Sequence, residues 1–95
     1  MGRLFDDIRK AVREDRYFFS WHADEHCEER EISGWQVVAG LEDSILVEER
    51  FQTQPNPSVV VHQILADGTE VEVIWSWLDS SRKAKLVSVY FKDQG

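Results

Sequence analysis

After Glu42-Asp43 the spacing of apolar residues changes from a helical period to a two-residue alternation, and this switch constrains the fold more than any other feature of the chain. Upstream, Leu4, Phe5, Ile8, Ala11 and Val12 recur at helical spacing, with Arg9, Lys10, Arg13 and Glu14 turned outward. Tyr17-Phe18-Phe19 then reads as a short strand or a packed connection. Ser20 can cap a second helix over about His22–Arg30, with Asp24 and Glu25 in the first turn and Ala23, His26, Cys27 and Arg30 along one stripe. Ser33-Gly34-Trp35-Gln36 fits a capping box, and Ile32 with Val37 fits a hydrophobic staple, which opens a third helix to about Leu41.

Downstream, strands are expected over Ser44–Phe51, Ser58–Leu65, Thr69–Leu78 and Leu86–Phe91. Gln52–Pro57 reads as a loop, Asp67-Gly68 as a hairpin turn and Asp79–Lys85 as a polar turn. In the third strand, Val71, Val73, Trp75 and Trp77 share one face, and Glu70, Glu72, Ile74 and Ser76 the other. Helices followed by a run of strands predict an α+β domain, with two to three N-terminal helices packed on one face of a four-stranded antiparallel sheet. With no linker long enough to divide it, the chain reads as a single domain over residues 1–95.

Charge narrows the range of partners. Eighteen acids against 11 bases give a net charge of −7, so the chain as a whole should repel polyanions and RNA is disfavoured on charge alone. The one cysteine, Cys27, has no internal disulfide partner, which fits a reducing, cytoplasmic setting. Met1–Lys10 has no apolar core of a signal peptide, and no apolar run is long enough to span a bilayer.

Several clusters could carry chemistry. His22 and His26 stand one helical turn apart, the spacing needed to share a zinc ion, and the string from His22 to His26 matches the H-x-x-E-H pattern in which Glu25 would activate a metal-bound water. Against this, five residues with three fixed letters recur by chance, and a third ligand from Cys27, Glu29 or His62 has no diagnostic spacing. Cys27 lies among Glu25, Glu28 and Glu29, which disfavour a thiolate, and reads as a small buried hydrophobe. Arg30 is either solvated or turned inward toward a carboxylate. Trp75 and Trp77 read as core rather than as a base-stacking platform, and His62 as a hydrogen-bonded rim histidine. Arg82, Lys83 and Lys85 form a small basic group that could meet phosphates.

The strings His22-Ala23, Glu29-Arg30 and Ile32-Ser33, continued by Asp67-Gly68 and Val87-Ser88-Val89-Tyr90, resemble a bacterial domain-of-unknown-function family numbered four-two-five-eight, over about Ile8 to Lys92. The chain departs from that pattern at Glu72, where relatives carry a His, and at Glu31, where a Gly precedes the Ile-Ser. The family is similar to RelE- and BrnT-like toxins, small α+β ribonucleases held by an antitoxin. The resemblance therefore implies a cofactor-free, metal-independent RNA endonuclease with an antitoxin or other protein partner. It also implies His22 as an acid–base group, Arg30 neutralising the scissile phosphate, and Tyr90 orienting or protonating. The competing readings are a non-catalytic interaction or structural module with an acidic surface and, more distantly, a zinc-dependent hydrolase using His22, Glu25 and His26.

Overall fold

The computed structural model describes residues 3–91; Lys92, where the resemblance ends, lies outside them. Helix α1 (Arg3–Arg13) buries Leu4, Phe5, Ile8, Ala11 and Val12, the stripe expected from their spacing. Its N-terminus is tied to the sheet, because the Phe5 N–H donates to Glu49 Oε2 at 2.9 Å.

Strand β1 (Tyr17–Phe19) follows, and it corrects the expected strand count. It makes the sheet five-stranded, not four-stranded, in the order β1-β5-β4-β3-β2. The other strands are β2 (Ile45–Arg50), β3 (Ser58–Ile64), β4 (Glu70–Leu78) and β5 (Lys83–Phe91). The four pair as an antiparallel meander, whereas β1 runs parallel to β5 through Tyr17↔Ala84, Phe18↔Lys85 and Phe19↔Leu86. Strand β5 also begins earlier than the sequence suggests. Lys83, Ala84 and Lys85 pair with Leu78, Trp77 and Ser76, and Ala84 is fully buried, so the polar turn is shorter than Asp79–Lys85.

Helix α2 (Trp21–Glu29) starts where β1 stops. Ser20 makes the junction. Its backbone N–H donates to the Leu86 carbonyl, its hydroxyl donates to the Val87 carbonyl at 3.0 Å, and the same oxygen accepts from the Ala23 N–H at 3.0 Å. Val87 is the extra residue of a β-bulge, where Ile74↔Ser88 gives way to Trp75↔Leu86. Beyond it α2 packs along β5 in place of a paired strand, so this edge of the sheet is covered.

The end of α2 is a Schellman motif. The Ile32 N–H donates to the Cys27 carbonyl, the Glu31 N–H to the Glu28 carbonyl, and Glu31 takes φ 54°, a conformation suited to glycine. A second positive φ, at Asp15, closes α1 in the same way. Helix α3 (Gly34–Gly40) begins after Ser33, whose hydroxyl makes no cap bond, so the capping box is absent although the Ile32 and Val37 side chains of the staple are both buried. Any side chain at Gly34 would run into the Phe19 ring. A 3₁₀ turn over Leu41–Asp43 then leads into β2.

The core lies between α1 and one sheet face. Val59, Val61, Val71, Val73, Trp75, Trp77, Ala84, Leu86 and Val89 are buried there, so the two tryptophans are core. At about 25 cal/mol per Å² of apolar surface, aromatic and branched side chains of this kind dominate the stabilisation of a small domain. The opposite face carries Ser58, Val60, Ser76, Ser88 and Tyr90, partly covered by the loop before β3. Among the described residues no helix is long and apolar enough to cross a membrane.

Candidate functional site

Four strands and one loop build a groove of about 320 Å³ on the face of the sheet away from α1. Arg50 comes from the end of β2, Ser58 from β3, Ser76 from β4, and Lys85, Ser88 and Tyr90 from β5. These positions share a face because strand side chains alternate, with the Val87 bulge keeping Ser88 and Tyr90 in phase with Ile74 and Glu72. The far wall is the loop containing Thr53, whose hydroxyl accepts from Ser58 Oγ at 3.3 Å. Ser58, Ser76 and Ser88 are buried on the floor, and Tyr90 is 42% exposed.

The electrostatics of the groove run against those of the chain. Among the described residues, its lining carries the cations of Arg50 and Lys85 and no carboxylate. Glu48 pairs with Arg50 at 3.2 Å from outside the lining, and Glu72 stands opposite Tyr90 in the β4–β5 ladder. A net-acidic protein thus keeps a local concavity of two bases and several hydroxyl groups, a donor set suited to anions.

A row of rings leads into this groove from α2. Trp21, 66% exposed, stacks on His22 with ring centroids 4.4 Å apart; His22 lies 6.3 Å from His26, and His26 lies 5.4 Å from Tyr90. The one-turn spacing of His22 and His26 sets the row on one helix face, and the covered β5 edge brings that face to Tyr90.

The predicted site residues separate accordingly. Tyr90 and Lys85 line the groove, and His22 reaches it only through His26. Arg30 sits elsewhere: its guanidinium lies 5.8 Å from the centroid of Phe91, the neighbour of Tyr90 that alternates to the core side, and 3.7 Å from Glu29. Nη1 of Arg30 is buried without a hydrogen-bond partner. Arg82 occupies a turn at φ 58°, pairs with Asp79 at 3.6 Å and accepts a hydrogen bond from Arg16 at its carbonyl; Lys83 is exposed at the start of β5. The expected basic group is therefore divided, with only Lys85 in the groove.

His22, Glu25 and His26 do not assemble a metal centre. Among the described residues no group of three or more His, Cys, Asp or Glu side chains is placed to hold an ion. The rings of His22 and His26 are instead engaged by Trp21 and Tyr90. His62 bonds Glu70 at 2.9 Å, as a rim histidine would. Burial pushes the Cys27 thiol up, helped by the Asp24 charge and opposed by Arg30, as expected for a buried rather than a reactive cysteine.

One groove residue, Arg50, escaped the sequence reading, and one row residue, His26, was named there in a different role. Arg50 follows two glutamates and reads as part of a mixed surface, and only the register Arg50↔Ser58 places it on the open face. His26 was legible as a partner of His22 but not of Tyr90, because sixty-odd residues separate the two rings. A family model described as "Domain of unknown function (DUF4258)" matches residues 19–91. No curated protein and no solved structure matches the chain.

Proposed function

The chain belongs to this domain-of-unknown-function family, and we propose that its open-face groove binds single-stranded RNA and cleaves it without a metal, as a toxin-type endonuclease of the RelE/BrnT kind. The observation that carries this reading is the carboxylate-free groove with Arg50, Lys85 and Tyr90, joined to the ring of His26, in a chain of net charge −7. Diffuse charge does not explain such local inversion; a phosphodiester ligand does.

The chemistry assigned to the site is transesterification. The ribose 2′-oxygen bonds to the adjacent phosphorus and the bond from phosphorus to the 5′-oxygen breaks. His26 accepts the 2′-hydroxyl proton, with His22 one turn away to receive it, and the Tyr90 phenol gives a proton to the leaving 5′-oxygen. Lys85 and Arg50 neutralise the charge that grows on the non-bridging oxygens. In this reading Arg30 is a positioning residue that holds the end of α2 against Phe91. The products are a 2′,3′-cyclic phosphate and a 5′-hydroxyl.

An RNA oligonucleotide incubated with the protein in chelator tests the reading. Cleavage ending in a cyclic phosphate is expected, with Tyr90→Phe and Lys85→Ala each lowering kcat/KM by about a hundredfold or more. Both side chains face the groove, so circular dichroism should be unchanged. Absence of cleavage and of growth arrest in an expressing host, or full activity in both variants, overturns it.

A further inference from the structure

A second surface, at the opposite end of β3 from Ser58 and the groove, has a different character. Two adjoining hollows of about 270 and 200 Å³ share Gly40 and Ile64. The first adds Asp43, Ile45 and His62; the second is walled by Trp35, Ala39 and Leu65. Three large apolar side chains around them are left in water: Trp35 at 69%, Ile64 at 65% and Ile45 at 63% exposed. In a chain of this size such a cluster marks a contact surface rather than scattered surface apolarity.

Its floor is set by close packing of α3 on β3. Gln63 is buried and donates from Nε2 to the Val37 carbonyl at 3.1 Å. A Cβ on Gly40 would come within 2.8 Å of that same nitrogen. The glycine therefore lets the end of α3 lie close to the strand, leaving a depression with apolar rims.

Charge selects the occupant. Asp43 lines the first hollow, Glu70 stands beside it on His62, and Asp67 follows Ala66 at the end of the second, its carboxyl held below the usual range by hydrogen bonds from the Thr69 hydroxyl and backbone. Among the described residues, no lysine or arginine lines either hollow. A second copy would bring a like-charged rim and a net charge of −7 against its twin, so self-association through this surface is disfavoured. Strand addition is disfavoured too. Val47 is an extra residue between the Leu46↔Val61 and Glu48↔Val60 pairs, which breaks the regular row of donors and acceptors along β2. Hollows set in line between a helix and a strand end take side chains, as when an amphipathic helix lays apolar residues a turn apart into a groove.

We propose that the surface formed by Trp35, Gly40, Ile45 and Ile64 docks an amphipathic helix of a partner protein, with Lys or Arg flanking its apolar face. The apolar residues fill the two hollows and the bases meet Asp43, Asp67 and Glu70. This inference stands apart from the groove, since none of the residues involved lines it.

A synthetic amphipathic helix of Leu and Lys, titrated into the full chain and followed by fluorescence anisotropy of a dye on the peptide, tests it. Binding is expected for this peptide and not for the same pattern in Leu and Glu. Trp35→Ser and Ile64→Ser should each weaken binding about tenfold or more, whereas Phe51→Ser, equally apolar and exposed at the far end of β2, should leave it unchanged. All three positions are on the surface, so retained melting curves are expected. Equal binding of the Glu peptide, equal weakening by Phe51→Ser, or no binding overturns the proposal. So does a concentration-dependent dimer, seen by sedimentation, that Ile64→Ser abolishes.

Discussion

Replacing Glu42 by Gln tests how the approach to β2 is fastened to α1. Glu42 sits in the 3₁₀ turn and accepts from Arg13 Nε at 2.7 Å, Arg13 Nη2 at 3.2 Å and Arg9 Nη2 at 3.0 Å. The hydrogen bond from Arg13, followed by that from Arg9, brings its carboxyl from 4.5 down to about 2. At about 1.36 kcal/mol per pKa unit, that displacement would correspond to about 3.4 kcal/mol if water did not screen it. The side chain is 45% exposed, so screening reduces the contribution to about 1 kcal/mol, the upper end for pairs in solvent. Because the folded carboxyl is depressed, its contribution is complete above the unfolded value of 4.5 and is lost as pH falls toward 2. Glu42→Gln keeps the size and one acceptor but removes the charge. It should lower Tm by about 4–8 °C at neutral pH, the shift that ~1 kcal/mol produces in a domain of this length. Thermal melts of both proteins across pH should show the gap narrowing below pH 4.5 and closing as pH approaches 2, and high salt should shrink the neutral gap. No gap at neutral pH, or a gap that stays constant on acidification, would refute the electrostatic account.

Two further outcomes follow from the backbone and the core. Glu31→Gly places glycine at the φ 54° position ending α2 and should raise stability by about 0.5–1 kcal/mol in urea unfolding, since strain relieved in the native state exceeds the added freedom of the unfolded chain; a destabilised variant would count against the Schellman geometry. Cys27, 7% exposed with its thiol pushed up by burial, should resist a thiol reagent at neutral pH and react stoichiometrically in guanidinium, so rapid labelling of the native protein would contradict the packing.

Much of the fold is written locally. The helical stripe of α1, the Ser20 cap, the faces of β4 and the Asp67-Gly68 turn depend on residues a few positions apart, and the structure has them as the spacing predicts. The Glu31 departure also becomes intelligible. The position at which the resemblance expects Gly is the left-handed C′ residue of α2, where any other side chain is strained. The Ser33 box failed because a capping motif specifies what a side chain can bond, while the tertiary packing of Ile32 and Val37 was enough to start α3.

The site was less legible. Tyr90 and Lys85 could be named as candidates, yet their common groove with Arg50 requires four strands in a defined register. Arg30 and Tyr90 each close a string that carries the resemblance, and the alternation of Tyr90 and Phe91 across β5 puts them on different sides.

Periodicity by itself determined that helices precede strands and which side chains each element would bury, because those preferences act within a turn or a pleat. Only the folded chain could add a parallel β1 at the edge of β5, shift the ladder at Val87 and lay α2 along what remained. Those arrangements satisfy backbone groups and cover apolar surface between segments far apart in sequence, and no local pattern encodes such pairings.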